Sequence, residues 1–472
     1  MWLVSVQLFE ALRYSQGMHL AFVGAGGKTT ALFKLARELS TILQSKPSKK
    51  TVLVTTSTHF GAWQVGLADH FVRIKSMTDI TRLEHDLPEG VVLLAGEENN
   101  NRLSGLKAKE LERVHSFAEA LQLPLIIEAD GAHTHPIKAP DRFEPVIPDF
   151  INHVVVVAGL SALGKPLTDK WVHRYKIFAE LSGLSVGEVV NRQALVNVLR
   201  HERGGLKNIP PTARKTVLLN QADTAELQSQ GQAIATQLIH DYQSVIIASL
   251  ASSNEIIEPE NGGASVRTGQ IHAVIEQVAG IILAAGGSSR FGKPKQLLLW
   301  KGQPLIRHVV LAALQSGLSP VIVVIGAAAD EVRAAISDLT VRIANNQEWV
   351  QGISGSIKSG ITCLPKELGA VVFLQADQPQ VSPLMITKLI EIHQQTLAPI
   401  VVPQIDGQRA NPVLFDVNTF PEFLALEGDV GGRALFSKFP VQWVDWHDQK
   451  LLMDIDSPED YQKFLKMYPN EG

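Results

Sequence analysis

Short runs of consecutive apolar residues alternate along the chain with longer stretches in which apolar residues recur at helical spacing. The runs before residue 250 are HLAFVG (19–24), TVLVTT (51–56), VVLLAG (91–96), PLIIEAD (124–130), HVVVVAG (153–159), TVLLNQAD (216–223) and SVIIAS (244–249). Continuous apolar strands separated by helices are typical of a parallel sheet that is buried on both faces. The first half of the chain therefore predicts an α/β domain.

The alternation stops in the polar stretch SSNEIIEPENGGASVRTG (252–269), which has no apolar period, and restarts with VAGIILAAG (278–286), SPVIVVIG (319–326) and AVVFLQAD (370–377). A chain of 472 residues is also too long for one ordinary core. We therefore predict an α/β fold with two tandem domains, 1–255 and 277–472, joined by a linker over 256–276. Each domain is expected to be a mostly parallel sheet flanked by helices.

The composition excludes several classes of protein. An apolar content of 45%, a charged content of 19% and a net charge of −4 are typical of a soluble globular protein and predict no basic surface for nucleic acid or a membrane. No apolar run approaches the ~20 residues of a membrane span, and the start of the chain lacks the basic residues of a signal peptide. The single cysteine, Cys363, suits a reducing compartment. We expect a cytoplasmic protein.

A loop of small residues, LAAGGSSRFGKPKQ (283–296), follows the first strand of the second domain. In open parallel sheets ligands bind where strands end and helices begin, and small side chains let the backbone approach a phosphate closely. Arg290, Lys293 and Lys295 follow within the same segment and can neutralise a triphosphate. The loop therefore predicts a nucleotide site that includes Ala284, Ala285, Gly286, Gly287, Ser288 and Lys293.

The longer segment LAAGGSSRFGKPKQLLLWKGQPLI (283–306) resembles the signature of the molybdenum cofactor nucleotidyltransferases, in the MobA-like NTP transferase family. Its LAAG…RFGKPKQ wording is similar to the cytidylyltransferase, MocA-like branch. The likeness covers nearly all of 278–468, through NNQEWVQGISGSIKSGI (345–361), LQADQP (374–379), GQRANPVLF (407–415), EGDVGGRALF (427–436) and DIDSPEDY (454–461). The resemblance implies a Rossmann-like domain that transfers CMP from CTP to molybdopterin and releases pyrophosphate.

The chemistry of this reaction agrees with the residue roles that the resemblance implies. The attacking phosphate of molybdopterin is mostly a dianion at pH 7, so the reaction needs charge neutralisation and in-line positioning rather than a general base. A lone carboxylate at the end of an apolar strand is costly unless it is coordinated or solvated, which favours Asp377 as a ligand of Mg²⁺. Asp456 is the expected second ligand, with an N-cap of the following helix as the alternative role. The expected catalytic residues are Arg290, Lys295 and Asp377, with Ser354 and Ser356 at the nucleotide and Arg409, Asn411 and Arg433 at the molybdopterin substrate.

The first domain carries a second glycine loop, FVGAGGKTT (22–30). The G-x-x-x-x-G-K-T spacing of a P-loop would need glycine where Phe22 stands, but the shorter G-x-x-G-K-T-T form resembles the loop of Mur-type ligases. Lys28 would then reach phosphates and Thr29 a Mg²⁺ ion, with an acidic residue of LIIEADG (125–131) as a Walker-B-like partner. We predict a P-loop NTPase-like domain that binds ATP or GTP. Its expected nucleotide-binding residues are Gly24, Gly26, Gly27, Lys28, Thr29, Thr30, Glu128 and Asp130.

Most of 20–250 resembles the YqeC-like family of accessory proteins for selenium-dependent molybdenum hydroxylases. The matching segments are GAGGKTT (24–30), VTTSTH (54–59), EADGAHTHPIKAPDRFEPVIP (128–148), GLSALGKPLTDKWVHR (159–174) and LLNQADT (218–224). This resemblance implies the molybdenum cofactor and a molybdenum hydroxylase apoenzyme as partners, without naming a reaction. His133 and His135 also permit a metal site, although no third ligand is evident.

Two alternatives stay open at this point. The first domain either hydrolyses or senses a nucleotide, or it is a non-catalytic module that delivers the finished cofactor to a hydroxylase. The second domain could instead transfer a guanylyl group to molybdopterin, or a cytidylyl group to a sugar phosphate or isoprenoid. The segments QRANP (408–412) and GDVGGR (428–433) argue against the sugar-phosphate and isoprenoid acceptors.

Overall fold

The computed structural model describes residues 5–44, 50–131, 134–250, 269–287 and 291–468, together with the backbone of 256–257 and 266–267. The chain divides into two compact units, Met1–Ile275 and Glu276–Gly472. Within the described ranges, no helix combines the length and the apolar character that crossing a bilayer requires. Three predicted site residues, His133, Ser288 and Arg290, lie outside the described residues, as does most of the predicted linker.

The first unit is built on one nine-stranded sheet. Its strands are His19–Gly24 (β1), Thr51–Thr56 (β2), His70–Arg73 (β3), Gly90–Ala95 (β4), Leu125–Glu128 (β5), His153–Gly159 (β6), Arg214–Asn220 (β7), Ser244–Ser249 (β8) and Gln270–Glu276 (β9). Their order across the sheet is β9-β8-β7-β6-β1-β5-β2-β4-β3. All pairs from β8 to β3 are parallel. The predicted parallel sheet is therefore confirmed.

Helices cover both faces of this sheet, which is why the strands read as continuous apolar runs. Every residue of β6 is buried. The helices are Leu8–Ala11 (α1), Lys28–Gln44 (α2), Met77–His85 (α3), Ala108–Ala120 (α4), Tyr175–Ser182 (α5), Arg192–Arg200 (α6) and Ala225–Leu238 (α7). Helix α2 buries residues spaced four apart, such as Ala31, Leu35 and Leu39, against the sheet. It thereby fixes the loop that precedes it at the carboxyl end of β1.

The predicted linker is wrong over its last seven residues. Residues Gln270–Glu276 form β9, a neighbour of β8 at the edge of the first sheet, and bury Ile271, Val274 and Ile275. The next strand begins at Val278, so a single residue separates two strands of different units. No glycine or proline marks this junction, where only Glu276 and Gln277 separate the apolar residues of the two strands.

The second unit contains a mixed eight-stranded sheet. Its strands are Val278–Ala284 (β10), Val321–Ile325 (β11), Arg342–Asn345 (β12), Ala370–Gln375 (β13), Ile400–Ile405 (β14), Gln408–Arg409 (β15), Val413–Asp416 (β16) and Val441–Asp445 (β17). The order is β12-β11-β10-β13-β16-β14-β15, and β17 pairs with β14. The pairs β12-β11, β11-β10, β10-β13 and β14-β17 are parallel, whereas β16 lies antiparallel between β13 and β14.

The helices of this unit connect the parallel strands and lie on the two faces of the sheet. They are Leu305–Gln315 (α8), Ala329–Ala335 (α9), Ile353–Thr362 (α10), Pro383–Thr396 (α11), Phe420–Leu424 (α12) and Pro458–Met467 (α13). Apolar residues of β10, β11 and β13 are buried in two clusters, one on each side of the sheet. The carboxyl ends of these three strands therefore meet at one edge, where the predicted loop and Asp377 come together.

Candidate functional site

The loop after β10 forms one wall of a cleft of about 660 Å³ in the second unit. Ala284 and Ala285 are buried in this wall. A Cβ atom added to Gly287 would lie 2.8 Å from the ring of Trp349, so the missing side chain lets Trp349 pack on the loop. The cleft is lined by residues 283–287 and 349–353 and by Lys295, Gln296, Ser356, Gln375, Ala376, Asp377, Asp429 and Asp456.

Lys295 joins two carboxylates at the edge of this cleft. Its Nζ lies 2.7 Å from Oδ1 of Asp456 and 3.4 Å from Oδ2 of Asp377, and it donates to the carbonyl of Ile455 at 2.9 Å. Burial alone would lower the pKa of Lys295, but the hydrogen bond to Asp456 and the charge of Asp377 outweigh it and raise the pKa. Lys295 is therefore a permanent cation beside the nucleotide loop.

The two carboxylates fit a magnesium ion that is completed by substrate oxygens. Burial raises the pKa of Asp377, and the charge of Asp454 adds to this effect, while the charge and hydrogen bond of Lys295 oppose it. Mg²⁺ typically takes one or two carboxylates and fills its remaining positions with water and phosphate oxygens. Among the described residues no group of three or more His, Cys, Asp or Glu side chains could form a closed metal cage.

The predicted substrate residues Arg409, Asn411 and Arg433 line a second cleft of about 150 Å³. Burial lowers the pKa of Arg409, and the charge of Arg433 lowers it further, so the two guanidinium groups repel each other. Arg409 also lies over the ring of Phe436, 5.6 Å from its centroid. The described lining includes no acidic side chain. The two cations therefore favour an anionic ligand here.

Of the other residues predicted to contact the nucleotide in this unit, some line the cleft and others do not. Ser356 lines the larger cleft and is 3.0 Å from Nδ2 of Asn346. Ser354 is buried outside the lining, and its backbone N–H donates to the carbonyl of Gly428 at 3.2 Å. Lys293 is exposed and likewise lies outside the lining. Ser356 therefore lies at the cleft, whereas Ser354 and Lys293 lie outside its lining.

The glycine loop of the first unit makes a tight turn between β1 and α2. Gly24, Gly26 and Gly27 have φ angles of +96°, +86° and +112°, which residues with a Cβ rarely adopt. A Cβ atom on Gly26 would lie 2.3 Å from the backbone nitrogen of Gly159. The N–H groups of Ala25 and Gly26 donate to the carbonyls of Val157 and His135. These two donors therefore hold the loop against neighbouring segments rather than facing outward.

Lys28, the first residue of α2, is buried in a network of charges. Its Nζ donates to the carbonyl of Gly24 at 2.8 Å and lies 3.2 Å from Oδ1 of Asp130. Asp130 also accepts from the N–H of Gly24 at 2.9 Å and pairs with Lys138 at 2.9 Å. Glu128 or Asp130 was expected as the ligand of a metal or water, and the structure pairs Asp130 with two lysines and the loop. Lys138 in turn pairs with Glu144.

Glu128, rather than Asp130, lies beside the predicted magnesium ligand Thr29. Oγ1 of Thr29 donates to Oε2 of Glu128 at 2.9 Å and accepts from Nε2 of Gln64 at 2.9 Å. Burial raises the pKa of Glu128, and the charge of Asp130 raises it further. Thr30 is exposed one residue further along the helix. A hydroxyl and a carboxylate thus lie together at the start of α2, beside the glycine loop.

Of the two histidines that permit a metal site, only His135 lies within the described residues. His135 contacts the carbonyl of Asp169 through Nε2 at 2.6 Å, and its ring lies 5.5 Å from that of His173. No third ligand joins it among the described residues.

Three residues at the two sites lie in segments that carry the family resemblances but were given no role from the sequence. Asn220 fixes the first loop by donating to the carbonyl of Gly26 at 2.8 Å, and Gln296 fixes the second by donating to Ala284 at 3.2 Å. Asp429 accepts from the N–H of Ile353 at the start of α10. Each acts across the fold on a backbone group, so no local spacing could have indicated it. Asn220 ends an apolar strand within LLNQADT (218–224), and both features are signals that could have indicated a role for it.

The parallel sheets, the glycine loops and the cleft around Lys295 define an α/β protein whose second unit has the fold of a nucleotidyltransferase. The chain belongs to two families. Residues 20–176 match the model described as YqeC protein, and residues 280–444 match the MobA-like NTP transferase domain. The two family resemblances that were predicted from the sequence are therefore confirmed.

Individual relatives cover each half. The chain is 30% identical over 231 residues to the "Uncharacterized protein YqeC" of Escherichia coli (strain K12), covering 48% of this chain and 85% of that protein. It is 28% identical to the "Nicotine blue oxidoreductase" of Paenarthrobacter nicotinovorans, covering 40% of this chain and 96% of that protein. It is 30% identical to a "Probable molybdenum cofactor guanylyltransferase" of Bacillus mycoides (strain KBAB4), covering 42% of this chain and 100% of that protein.

Proposed function

We propose that the second domain transfers a cytidylyl group from CTP to the terminal phosphate of molybdopterin, using Mg²⁺ and releasing pyrophosphate. The observation that carries the proposal is Lys295, held between Asp377 and Asp456 at a cleft next to the cationic one. Membership of the MobA-like family supports nucleotidyl transfer. The relative named for molybdenum cofactor guanylyl transfer supports the acceptor. The LAAG…RFGKPKQ wording supports CTP over GTP.

The reaction exchanges one P–O bond for another. An oxygen of the acceptor phosphate attacks the α-phosphorus of CTP, and the bond from that phosphorus to the β-bridging oxygen breaks. Pyrophosphate leaves with the bonding electron pair. Lys295 contacts the negative charge that builds on the phosphates, and Arg409 and Arg433 hold the acceptor phosphate. Arg290 remains a proposed second cation for the triphosphate.

Asp377 and Asp456 would hold the magnesium ion, which supplies charge neutralisation at the phosphates. Lys295 now contacts both carboxylates, so in the loaded site its ammonium would move toward the phosphate oxygens. No histidine is among the described residues that line the cleft. This agrees with a reaction in which the attacking phosphate is already ionised and gives up no proton.

The test is mass spectrometry of the products that the purified full chain forms from molybdenum-loaded molybdopterin, Mg²⁺ and each of the four nucleoside triphosphates. We expect a CMP adduct of the cofactor and pyrophosphate, with CTP consumed much faster than GTP. Equal rates would overturn the assignment to CTP, and a GMP adduct alone would show guanylyl transfer. A sugar phosphate and an isoprenoid alcohol phosphate in parallel reactions test the other acceptors.

We propose that the first domain binds ATP or GTP through residues 24–30 and serves the maturation of a molybdenum hydroxylase in the cytoplasm. Thr29 beside Glu128 supports a cation at this loop. Lys28 is next to the loop but paired with Asp130, so a phosphate would have to take the place of that carboxylate. Hydrolysis of ATP or GTP by the full chain, absent in Lys28→Ala but present in Lys295→Ala, would establish a catalytic domain. Binding without hydrolysis would favour the cofactor-delivery module.

A further inference from the structure

The two clefts of the second domain share three of their lining residues. These are Leu283, Ile353 and Gln375. Gln375 is the last residue of β13, lies opposite Leu283 of β10 in the sheet and precedes Asp377 by two residues. Leu283 and Ile353 are apolar, so Gln375 supplies the polar side chain that both clefts have in common.

The side-chain amide of Gln375 differs from those of nearby glutamines, which donate hydrogen bonds to other residues. Gln296 donates to the carbonyl of Ala284, Gln378 to Asp454, and Gln380 to the carbonyl of Met453. The Gln375 side chain makes no hydrogen bond to any other residue of the described part of the chain, and it is half-buried. A half-buried amide is usually hydrogen-bonded, so these donors are available to a ligand.

We propose that Gln375 bridges the two substrates, donating its amide N–H groups to the α-phosphate in the larger cleft and to the attacking phosphate in the cationic cleft. The bridge rests on the proposed function, since it assumes one anion in each cleft. The side chain forms and breaks no covalent bond and exchanges no proton. It aligns the attacking oxygen with the α-phosphorus, which is the in-line geometry that the reaction requires.

A neutral side chain is suited to this place. A carboxylate between two anionic phosphates would repel both, whereas an amide of the same shape offers two donors and no charge. This predicts losses of different size for two nearly isosteric changes. Gln375→Met removes the donors and keeps the volume, while Gln375→Glu keeps the shape and adds a negative charge. Gln404→Met is the matched control, because Gln404 bonds only to Asp445 among the described side chains and lines neither cleft.

The first experiment measures steady-state kinetics of transfer for the full-length variants. We expect Gln375→Met to lower kcat/KM for molybdopterin by roughly 10- to 100-fold, the range for losing hydrogen bonds to charged groups. Gln375→Glu should lower it further, and Gln404→Met should stay within about twofold. Wild-type kinetics in Gln375→Met would overturn the bridge.

The second experiment measures binding without turnover, using α,β-methylene-CTP with Mg²⁺ and phenyl phosphate as probes in calorimetry. Wild type should bind phenyl phosphate at least about tenfold more tightly when the CTP analogue is present, and Gln375→Met should lose this coupling while binding the analogue within about threefold of wild type. Coupling that survives in Gln375→Met would overturn the bridge. If wild type shows the coupling yet transfers nothing to molybdopterin, the acceptor is wrong and the bridge stands. If wild type binds neither probe, both proposals fall.

Discussion

The role of Lys295 could be predicted from the sequence, but its contacts could not. Its position after a small-residue loop predicted a cation at the phosphates, and the structure places it at the cleft. Its two carboxylate partners come from 82 and 161 residues further along the chain. The chemistry of each residue was readable from its own segment of the sequence, but their convergence depends on how the strands are ordered, which no local pattern contains.

Lys295→Ala should lower kcat/KM for nucleotidyl transfer by roughly 100-fold or more, because the variant loses a preorganised charge at the transition state. Asp377→Asn should cost at least as much, since it removes a proposed metal ligand and keeps the shape. The measurement is steady-state transfer with the full chain at saturating Mg²⁺. Lys366→Ala, at an exposed position outside both clefts, is the control. A Lys295→Ala enzyme within threefold of wild type would show that this lysine is not catalytic.

The histidines of the second domain should be dispensable for transfer. His308 contacts the carbonyl of Trp300 at 2.8 Å, His393 pairs with the buried Asp416 at 2.7 Å, and His447 is exposed. None of them lines either cleft. We therefore expect His308→Ala, His393→Gln and His447→Ala to keep transfer within a few-fold from pH 6 to 9, per folded molecule. The glutamine at 393 preserves a donor for Asp416.

A histidine variant as impaired as Asp377→Asn, with its fold intact by circular dichroism, would reveal a general base. The mechanism that relies on an already ionised phosphate would then be wrong.

At the scale of elements, the strands and the two glycine loops could be predicted from the sequence. The neighbours of each strand and the side chains that contact each loop could not. Buried parallel strands need apolar residues at nearly every position, so β1, β6 and β10 can be recognised in the sequence as apolar runs. The strand β9 was missed because one residue separates it from β10. The sequence left Glu128 and Asp130 open as the ligand of a metal or water, because both lie at the end of an apolar strand, and it gave no indication of the partners of Asp130. Its pairing with Lys28 and Lys138 depends on a loop that returns to the sheet only in three dimensions.

The amino ends of the neighbouring strands β1 and β6 predict that the first domain loses stability in mild acid. Burial lowers the pKa of His19 to about 4, assisted by His115 and opposed by Glu119, and burial with Arg214 lowers that of His153 to about 3. The unfolded chain therefore takes up these protons below pH 6.5 while the folded domain does not. Stability is complete above pH 6.5 and should fall by about 2 kcal/mol per histidine by pH 5.

Urea unfolding of the full chain at pH 7.5 and pH 5, followed by tryptophan fluorescence, measures this loss. His153→Gln should remove about half of it, because glutamine can still reach the hydroxyl of Thr216, which His153 contacts at 2.9 Å. His59→Gln, at an exposed position, should leave the pH dependence unchanged. An unchanged pH dependence in His153→Gln would exclude a buried neutral imidazole as the cause.

At the scale of the whole molecule, the sequence indicated two α/β units, and the structure has two, with a boundary near residue 276. The sequence could not indicate which side chains pair with the lysine of each glycine loop. The second loop faces an open cleft, whereas the first has its lysine buried in ion pairs. Both loops contain glycines and are followed by a lysine, but the two lysines have different ion-pair partners. Lys28 of the first loop pairs with Asp130, and Lys295 of the second pairs with Asp456.

This difference predicts that the two sites can be inactivated one at a time. Lys28→Ala should abolish binding of ATP and GTP at the first loop and leave cytidylyl transfer within a few-fold of wild type, since the transfer site has its own cations at Lys295, Arg409 and Arg433. Lys295→Ala should do the reverse. The measurement is binding of fluorescent ATP and GTP analogues in parallel with transfer, on the same full-length preparations. Excess CTP during the binding measurement keeps the analogues off the second site. A loss of transfer in a folded Lys28→Ala protein would mean that the first loop controls the second domain, and a nucleotide at the first loop would then be part of the transfer cycle rather than a separate event.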